Sequence, residues 1–266
     1  IYSQWKDLGK DIPFALCLGV EPAITMVAGY PLPTGMNEGE MLGAWYGEPV
    51  EVVKCETTDL LVPASTEIVI EGFASVDTLI QERPMGEYGG YVWAGRHKQV
   101  PCFRVTAMTC RNHPIMPLCV AGVPTEENHT NWGVNIAAAI RHALSKTDLP
   151  VKECYIPMEC AAHWVVVTVD RNRRTQDDDQ LALEIGKAVF ASRGGSYIPK
   201  VIVLDDDIDP SDLNQLIWAV ATRHHPDRRI TMENQYMFPL VAYLSQEEKA
   251  ASVSTPVIYN CLAPLG

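Results

Sequence analysis

Hydrophobic positions in the first 110 residues occur in short runs separated by Gly, Pro and Asp, and this pattern predicts β-strands. After an opening helical turn, residues 14–18 form the first apolar run, directly behind Pro13. Further runs rich in β-branched and aromatic residues occupy positions 49–55, 66–72, 91–93 and 102–110. Because no long helical pattern lies between them, these runs indicate an antiparallel sheet or barrel.

Glu67 and Glu71 lie at even spacing along the predicted strand 66–72, so their side chains share one face of that strand. Charged side chains without a predicted partner are mostly exposed. We therefore expect both glutamates to face solvent or the rim of a barrel.

The hydrophobic pattern changes near residue 125, where helical spacing replaces the short runs. A helix is predicted by the apolar positions Trp132, Val134, Ile136, Ala137, Ile140 and Leu144. The order then becomes strand 163–169, helix 179–192, strand 200–204 and helix 212–222, the last with Ser211 as its N-cap. This alternation is typical of an α/β layer, so we expect one domain over residues 1–125 and an α/β domain over residues 126–266.

Composition narrows the class of protein. A hydrophobic fraction of 47% with 20% charged residues is typical of a globular chain, and a net charge of −12 argues against nucleic acid as a partner. The eight cysteines contain no Cys-x-x-Cys pair, which indicates free thiols in a reducing compartment. Since no apolar run reaches the ~18 residues of a membrane span, we expect a cytoplasmic protein without a membrane partner.

The loop at residues 82–91, ERPMGEYGGY, holds two carboxylates five residues apart, Glu82 and Glu87, around Pro84 and three glycines. Proline fixes the backbone and glycine lets it approach a ligand closely. Two carboxylates on such a loop could divide the roles of acid and base. The alternative interpretation is a solvated hairpin with incidental acids.

A second cluster of acids, Asp205–Asp207, follows the predicted strand 200–204 at its carboxyl end, where open α/β sheets place their sites. Three acids there could hold Mg²⁺ and serve a metal-dependent hydrolase. The alternative is an acidic turn before a capped helix, which residues 209–211 already explain. His129 stands alone before the predicted helix, and a lone histidine is usually structural.

Several longer stretches resemble the UbiD-type decarboxylases, which use prenylated FMN. The resemblance rests on residues 82–91 together with 62–72 (VPASTEIVIEG), 111–117 (RNHPIMP) and 204–209 (LDDDID). Within this family, the sequence resembles the ferulate or phenylacrylate decarboxylase branch in particular. The resemblance implies an antiparallel split β-barrel of the flavin-binding type, followed by an α/β domain for oligomerisation and the pocket wall. It also implies a homodimer or larger assembly and a prenyl-flavin synthase as source of the cofactor.

By the same resemblance, Glu87 matches the proton donor that acts after CO₂ leaves, and Glu82 matches the acid that pairs with an arginine beside the cofactor. Glu38 matches the ligand of the Mn²⁺ or Mg²⁺ ion that bridges the flavin phosphate. The loop that lines the flavin and a K⁺ site corresponds to Val27, Ala28, Tyr30 and Pro31.

The pocket positions of the family fall on Tyr88, Asn128, Trp132, Phe238 and Leu240. Trp132 is bulky where smaller aliphatic residues are common, and Asn128 can hydrogen-bond a ring N–H or a hydroxyl. The implied reaction is reversible, non-oxidative decarboxylation of an α,β-unsaturated or (hetero)aromatic carboxylic acid, and the pocket suggests a flat substrate.

Departures from the family pattern leave an alternative open. The family's catalytic Arg and its other metal ligands, an Asn and a His, stand before the position at which this sequence starts. We expect a split or proteolysed enzyme in which they lie elsewhere. The alternative is a non-catalytic or inactive fragment, or an assembly subunit, that kept the fold.

Overall fold

The computed structural model describes residues 2–32, 35–93, 99–174 and 178–263, which form two compact units. The first unit takes in the described residues of Ile1–Ala28, Leu32–Gly86 and Val92–Val120. The second comprises those of Gly29–Pro31, Glu87–Tyr91 and Ala121–Gly266. Glu82 and Glu87 therefore belong to different units. A functional boundary near residue 125 stays a prediction.

The first unit is built on a three-stranded antiparallel sheet in the order β1-β4-β7. Its elements are α1 (Tyr2–Asp7), β1 (Ile12–Leu18), α2 (Pro22–Ala28), α3 (Glu38–Tyr46), β2 (Val52–Lys54), β3 (Leu61–Pro63), β4 (Ile68–Gln81), β5 (Met85–Gly86), β6 (Val92–Trp93) and β7 (Gln99–Cys110). Strands β2 and β3 pair with each other, as do β5 and β6. The predicted antiparallel strands are present, but the described residues of this unit form no closed barrel, so the split barrel remains a prediction.

The prediction that Glu71 faces solvent or a barrel rim is wrong, because this residue of β4 is only 1% exposed. Its carboxylate accepts hydrogen bonds from the backbone N–H groups of Glu56 (2.8 Å), Thr57 (2.9 Å) and Thr58 (3.1 Å), and from the Thr57 hydroxyl (3.0 Å). Burial opposes ionisation, but these donors outweigh it and hold the pKa of Glu71 below its usual range. The acid thus anchors the loop between β2 and β3.

Replacing Glu71 by Gln is expected to lower the free energy of unfolding by about 1–3 kcal/mol, because the amide nitrogen cannot accept from these donors. The lowered pKa means that the stabilisation is present above the unfolded value of about 4.3 and is lost as the pH falls further. Urea unfolding at several pH values measures both effects. Glu56→Gln, an exposed position on the same loop, is the matched control. Equal stability of both variants at neutral pH would contradict the anchoring role.

The second unit is an α/β layer around a five-stranded sheet in the order β11-β14-β10-β9-β8. Its elements are α4 (Gly133–Leu144), which follows a π-helical turn at Asn128–Trp132, then β8 (Val151–Tyr155), β9 (Trp164–Val169), α5 (Asp178–Ala191), β10 (Lys200–Asp205), α6 (Leu213–Arg223), β11 (Ile230–Thr231), β12 (Gln235–Tyr236), α7 (Gln246–Ala251), β13 (Val253–Ser254) and β14 (Val257–Asn260). Strands β9, β10 and β14 are parallel, and β8 and β11 join them antiparallel. The predicted alternation of strands and helices is confirmed here.

Helices cover both faces of this sheet, as the alternation of side chains along β9 demonstrates. Val165, Val167 and Val169 pack in one buried cluster with residues of α4 and α5. Val166 instead packs with Leu216 of α6. Because successive residues of a strand point to opposite faces, the central strands are buried on both sides and read as continuous apolar runs.

The N-cap of α6 is Asp212, so the predicted cap at Ser211 is wrong. The Asp212 carboxylate accepts from the backbone N–H groups of Asn214 (2.9 Å) and Gln215 (3.3 Å). The Ser211 hydroxyl instead donates to the carboxylate of Asp209, two residues earlier, at 2.7 Å. A carboxylate is also the better partner for the positive end of a helix dipole.

The eight cysteines are free thiols, as predicted. In the part of the chain that the structure describes, no helix combines the length and apolarity needed to cross a membrane.

Candidate active site

The turn Glu87–Tyr91 is closed by its own backbone. The Glu87 N–H donates to the Tyr91 carbonyl at 3.1 Å, and the Gly90 N–H donates to the Glu87 carbonyl at 2.9 Å. Gly90 has φ +82°, a conformation that favours glycine, and a Cβ there would make a tight contact of 3.2 Å with the Val123 Cα. Glu87 itself is half-buried. The turn therefore presents a carboxyl group from a fixed backbone.

Tyr88 is buried beside Glu87, with 4% of its surface exposed. Its ring meets Trp132 edge-on at a centroid distance of 5.1 Å and lies 5.7 Å from the His163 ring. Burial, and then the nearby charge of Glu87, raises the pKa of Tyr88, so the phenol stays neutral. Its buried hydroxyl has no hydrogen-bond partner among the described residues. A bound polar group could satisfy that hydroxyl.

An aromatic wall extends from Tyr88 through three further side chains. Trp132 makes edge contacts with Tyr197 at 5.2 Å and with Phe238 at 6.4 Å, and the latter two contact each other at 5.1 Å. Leu240 packs against the same buried core. The structure thus brings together Tyr88, Trp132 and Phe238 of the predicted pocket.

Asn128 differs from the other predicted pocket residues because it is exposed. It is the first residue of the π-helical turn, and its side-chain amide donates to the Glu126 carboxylate at 3.1 Å. Sequence reasoning missed Tyr197 and His163 as neighbours of this wall. In the sequence, Tyr197 lies between a predicted helix and a predicted strand, and His163 stands at the start of the predicted strand 163–169.

Glu82 belongs to the first unit and is half-buried. Its Oε2 atom is buried and has no hydrogen-bond partner among the residues that the structure describes. Burying a carboxylate oxygen without a partner is costly, so such an atom fits a cation or donor from outside the described residues.

The predicted cofactor residues divide between the two units. Val27 is buried and Ala28 exposed on α2 of the first unit, whereas Tyr30 and Pro31 are half-buried and belong to the second. Glu38 is exposed in the first turn of α3. Within the described ranges no group of three or more His, Cys, Asp or Glu residues could hold a metal ion. Glu38 therefore offers a single carboxylate ligand.

The acids Asp205–Asp207 do not converge on one point, because each pairs with a different cation. The partners are, in order, Arg174, Lys152 and Arg223. Lys152 and Arg223 lower the pKa values of Asp206 and Asp207, respectively. Three carboxylates held apart by three cations do not make a divalent metal site, so the geometry favours the structural interpretation of this acidic turn.

A cavity of about 560 Å³ in the second unit is lined by Gly90, Tyr91, His163, Lys200 and Tyr243, among others. The Lys200 ammonium lies 5.0 Å from the centroid of the Tyr243 ring. Burial lowers the pKa of His163, whose Nδ1 lies 2.6 Å from the Ala161 carbonyl oxygen. The predicted pocket residues do not line this cavity, but His163 contacts both the cavity and the Tyr88 ring of the aromatic wall.

Comparison with known proteins relates both units to one family. Residues 1–124 match the 3-octaprenyl-4-hydroxybenzoate carboxy-lyase Rift-related domain, UbiD, and residues 129–261 match the corresponding C-terminal domain. The chain is 42% identical over 268 residues to the pyrrole-2-carboxylic acid decarboxylase of Pseudomonas aeruginosa, covering 99% of this chain and 54% of the relative. It is 34% identical over 269 residues to ferulic acid decarboxylase 1 of Saccharomyces cerevisiae, covering 98% and 54%.

A solved structure of a UbiD-class enzyme is also similar to this chain. An evolved dimeric form of the UbiD-class enzyme HmfF from Pelotomaculum thermopropionicum, in complex with prFMN, matches with a TM-score of 0.78 and 26% identity, covering 99% of this chain and 55% of that one. The chain thus spans about half the length of the curated relatives it matches.

Proposed function

The chain belongs to the UbiD family of carboxy-lyases, and we propose that it supplies the acid side and the aromatic wall of a prenylated-FMN-dependent decarboxylase. The substrate class is an α,β-unsaturated or (hetero)aromatic carboxylic acid. The observation that carries the proposal is the closed turn in which Glu87 directly precedes Tyr88, whose buried ring packs against Trp132. Two relatives are named as decarboxylases of pyrrole-2-carboxylic acid and of ferulic acid, and these names support the proposed substrate class.

Decarboxylation leaves an electron pair on carbon, and no side chain is an adequate sink for it. Prenylated FMN, when bound, would supply that sink. The residues that would hold it are Val27, Ala28, Tyr30 and Pro31, with K⁺ at the same loop and Glu38 as one ligand of Mn²⁺ or Mg²⁺. The buried Oε2 atom of Glu82 and the buried hydroxyl of Tyr88 each have no hydrogen-bond partner among the described residues, which supports a polar ligand beside each of them.

In this proposal Glu87 carries the proton that replaces CO₂ on the substrate carbon. The neutral Tyr88 phenol and the rings of Trp132 and Phe238 exclude water and hold a flat substrate against the wall. Asn128 hydrogen-bonds a ring N–H or hydroxyl, and Leu240 adds an apolar contact. Glu82 pairs with an arginine from outside the described residues, which would satisfy its buried carboxylate oxygen.

The proposal extends to partners of the chain. We propose a homo-oligomer, to which a dimeric form among the structural neighbours lends support, with residues 126–266 providing much of the contact. Residues 1–125 would form the cofactor domain. A prenyl-flavin synthase would supply the cofactor in the cytoplasm.

The test is to mix the chain with the part of the Pseudomonas aeruginosa relative that it does not cover, add prenylated FMN, Mn²⁺ and K⁺, and measure flavin absorbance and CO₂ release. Pyrrole-2-carboxylate and ferulate are the substrates, and 3-phenylpropanoate is the saturated control. We expect release from a flat acid to exceed that from the control by about 100-fold or more, since only a conjugated acid can pass its electron pair to a sink.

If the mixture retains no flavin and releases no CO₂ from any acid, the non-catalytic alternative is favoured. If flavin is retained but CO₂ is released equally from saturated and unsaturated acids, the proposed chemistry is wrong.

A further inference from the structure

We propose that His129 is a positioning residue that holds the Glu87 turn in place through the Tyr88 carbonyl. The proposal rests on the proposed role of Glu87 as proton donor. His129 lies 41 positions beyond Tyr88 in the sequence, yet its ring contacts the carbonyl oxygen of Tyr88, the residue directly after Glu87. Its side chain is fully buried, with 0% exposed.

Both ring nitrogens of His129 bind backbone groups. Nδ1 accepts a hydrogen bond from the Glu126 backbone N–H at 3.0 Å, and Nε2 lies 2.8 Å from the Tyr88 carbonyl oxygen. A nitrogen that accepts from an amide carries no proton, so the hydrogen-bond pattern assigns the proton to Nε2. The neutral ring therefore donates to the Tyr88 carbonyl.

The segment on which His129 stands is itself fixed. One Glu126 carboxylate oxygen accepts from the Asn128 backbone N–H at 3.0 Å, and the other lies 3.4 Å from His129 Nε2. The imidazole therefore joins the entry of α4 to the turn at Glu87–Tyr91. Polar groups buried at such a junction are usually paired, and here the pairing joins two segments that are distant in the sequence.

The hydrogen bonds within the turn set its shape, so its direction depends on contacts with other segments, and His129 adds a polar contact to the packing of the Tyr88 ring. The bonds from Glu87 N–H and Gly90 N–H close the turn internally. Without His129, the Tyr88 carbonyl would be a buried acceptor without a donor among the described residues, and the turn would shift to find one. A displacement of about 1 Å at a reacting group can lower a rate by about 100-fold.

Two conservative variants separate the two bonds of the ring. In His129→Gln, the side-chain amide nitrogen stands at about the reach of Nε2 and can still donate to the Tyr88 carbonyl. In His129→Asn, the side-chain oxygen stands at about the reach of Nδ1 and can still accept from the Glu126 N–H, but the donor to Tyr88 is lost. The variants have similar polarity and each keeps a different one of the two bonds, so comparing them separates the contact with Tyr88 from the contact with Glu126.

The first measurement is turnover in the mixture described above. We expect kcat of His129→Asn to fall by about 10- to 100-fold with KM nearly unchanged, because the acid is misplaced while the pocket wall remains. His129→Gln should restore most of kcat. Equal losses in both variants would overturn the proposal, since a merely structural role gives no reason for Gln to rescue.

The second measurement needs neither cofactor nor turnover. Hydrogen exchange of the Gly90 amide in the chain alone should become about tenfold faster in His129→Asn and stay close to wild type in His129→Gln. Amides of β9 serve as the folding control. Unchanged Gly90 exchange in His129→Asn, or faster exchange without a loss of kcat, overturns the positioning role. A Glu87→Gln variant that stays active would instead refute the proposed function, whatever the exchange data.

Discussion

Replacing Glu87 by Gln is expected to lower kcat of the reconstituted decarboxylase by about 100-fold or more, since a positioned general acid contributes about 10²–10⁴. Glutamine has the same shape and keeps hydrogen-bonding capacity, but its amide is not a proton donor of useful strength. KM should change little, because the rings of Tyr88 and Trp132, which we propose to hold the substrate, keep their contact with each other. CO₂ release with saturating pyrrole-2-carboxylate or ferulate measures the effect.

The matched control is Glu127→Gln, an exposed position near the entry of α4 that should leave kcat within about twofold of wild type. Asp206→Asn provides the comparison with a metal-dependent hydrolase. If Asp206→Asn abolished activity and Glu87→Gln did not, the acid would be at the carboxyl end of β10 and our assignment would be wrong. We expect the opposite, because Asp206 is paired with Lys152.

The α/β half of the fold could be predicted from sequence because its central strands are buried on both faces. Strand β9 reads WVVVTV and β10 reads KVIVLD, and such continuous apolar runs stand out between helical patterns. Strand β8, with the sequence VKECY, was not predicted. It is an edge strand with exposed Lys152 and Glu153, so it lacks the apolar signal that identifies the central strands.

Single polar residues were harder to predict than whole elements. Glu67 and Glu71 look alike in the sequence, but only Glu71 is fully buried, because the loop after β2 turns three N–H groups toward it. That loop contact is tertiary and has no periodicity. Ser211 and Asp212 are both good caps, and only the backbone geometry selects one of them.

The candidate site follows from the resemblance to the UbiD family, and the spacing of residues alone does not identify it. The glycine-rich turn at residues 82–91 has an ordinary hairpin interpretation, and the chain-wide likeness singled out Glu87. The contacts of His129 with Tyr88 and of Trp132 with Tyr197 depend on how distant segments pack. The sequence alone could show that His129 precedes a helix, but not which carbonyl its ring would reach.

Replacing Arg174 by Met is expected to lower the free energy of unfolding of the second unit by about 3–5 kcal/mol, because it leaves a buried charge without its counter-ion. The side chains of Arg174 and Asp205 are both 0% exposed, and Nη1 lies 2.6 Å from the Asp205 carboxylate. The guanidinium also donates to the Ala263 carbonyl and so ties the segment after β14 to the end of β10. Urea unfolding measures the loss.

The reason for so large an effect is the unpaired carboxylate and not the lost attraction. Asp178, the other partner of Arg174, is partly exposed and water can solvate it, whereas the buried Asp205 carboxylate would keep a single donor among the described residues, the Ala263 N–H. The double variant Arg174→Met/Asp205→Leu removes both charges and should recover much of the stability. Lys152→Met breaks the ion pair between Asp206 and an exposed lysine, and should change the free energy of unfolding far less than Arg174→Met. A double variant no more stable than Arg174→Met would instead mean that the tie to Ala263, rather than the buried charge, dominates.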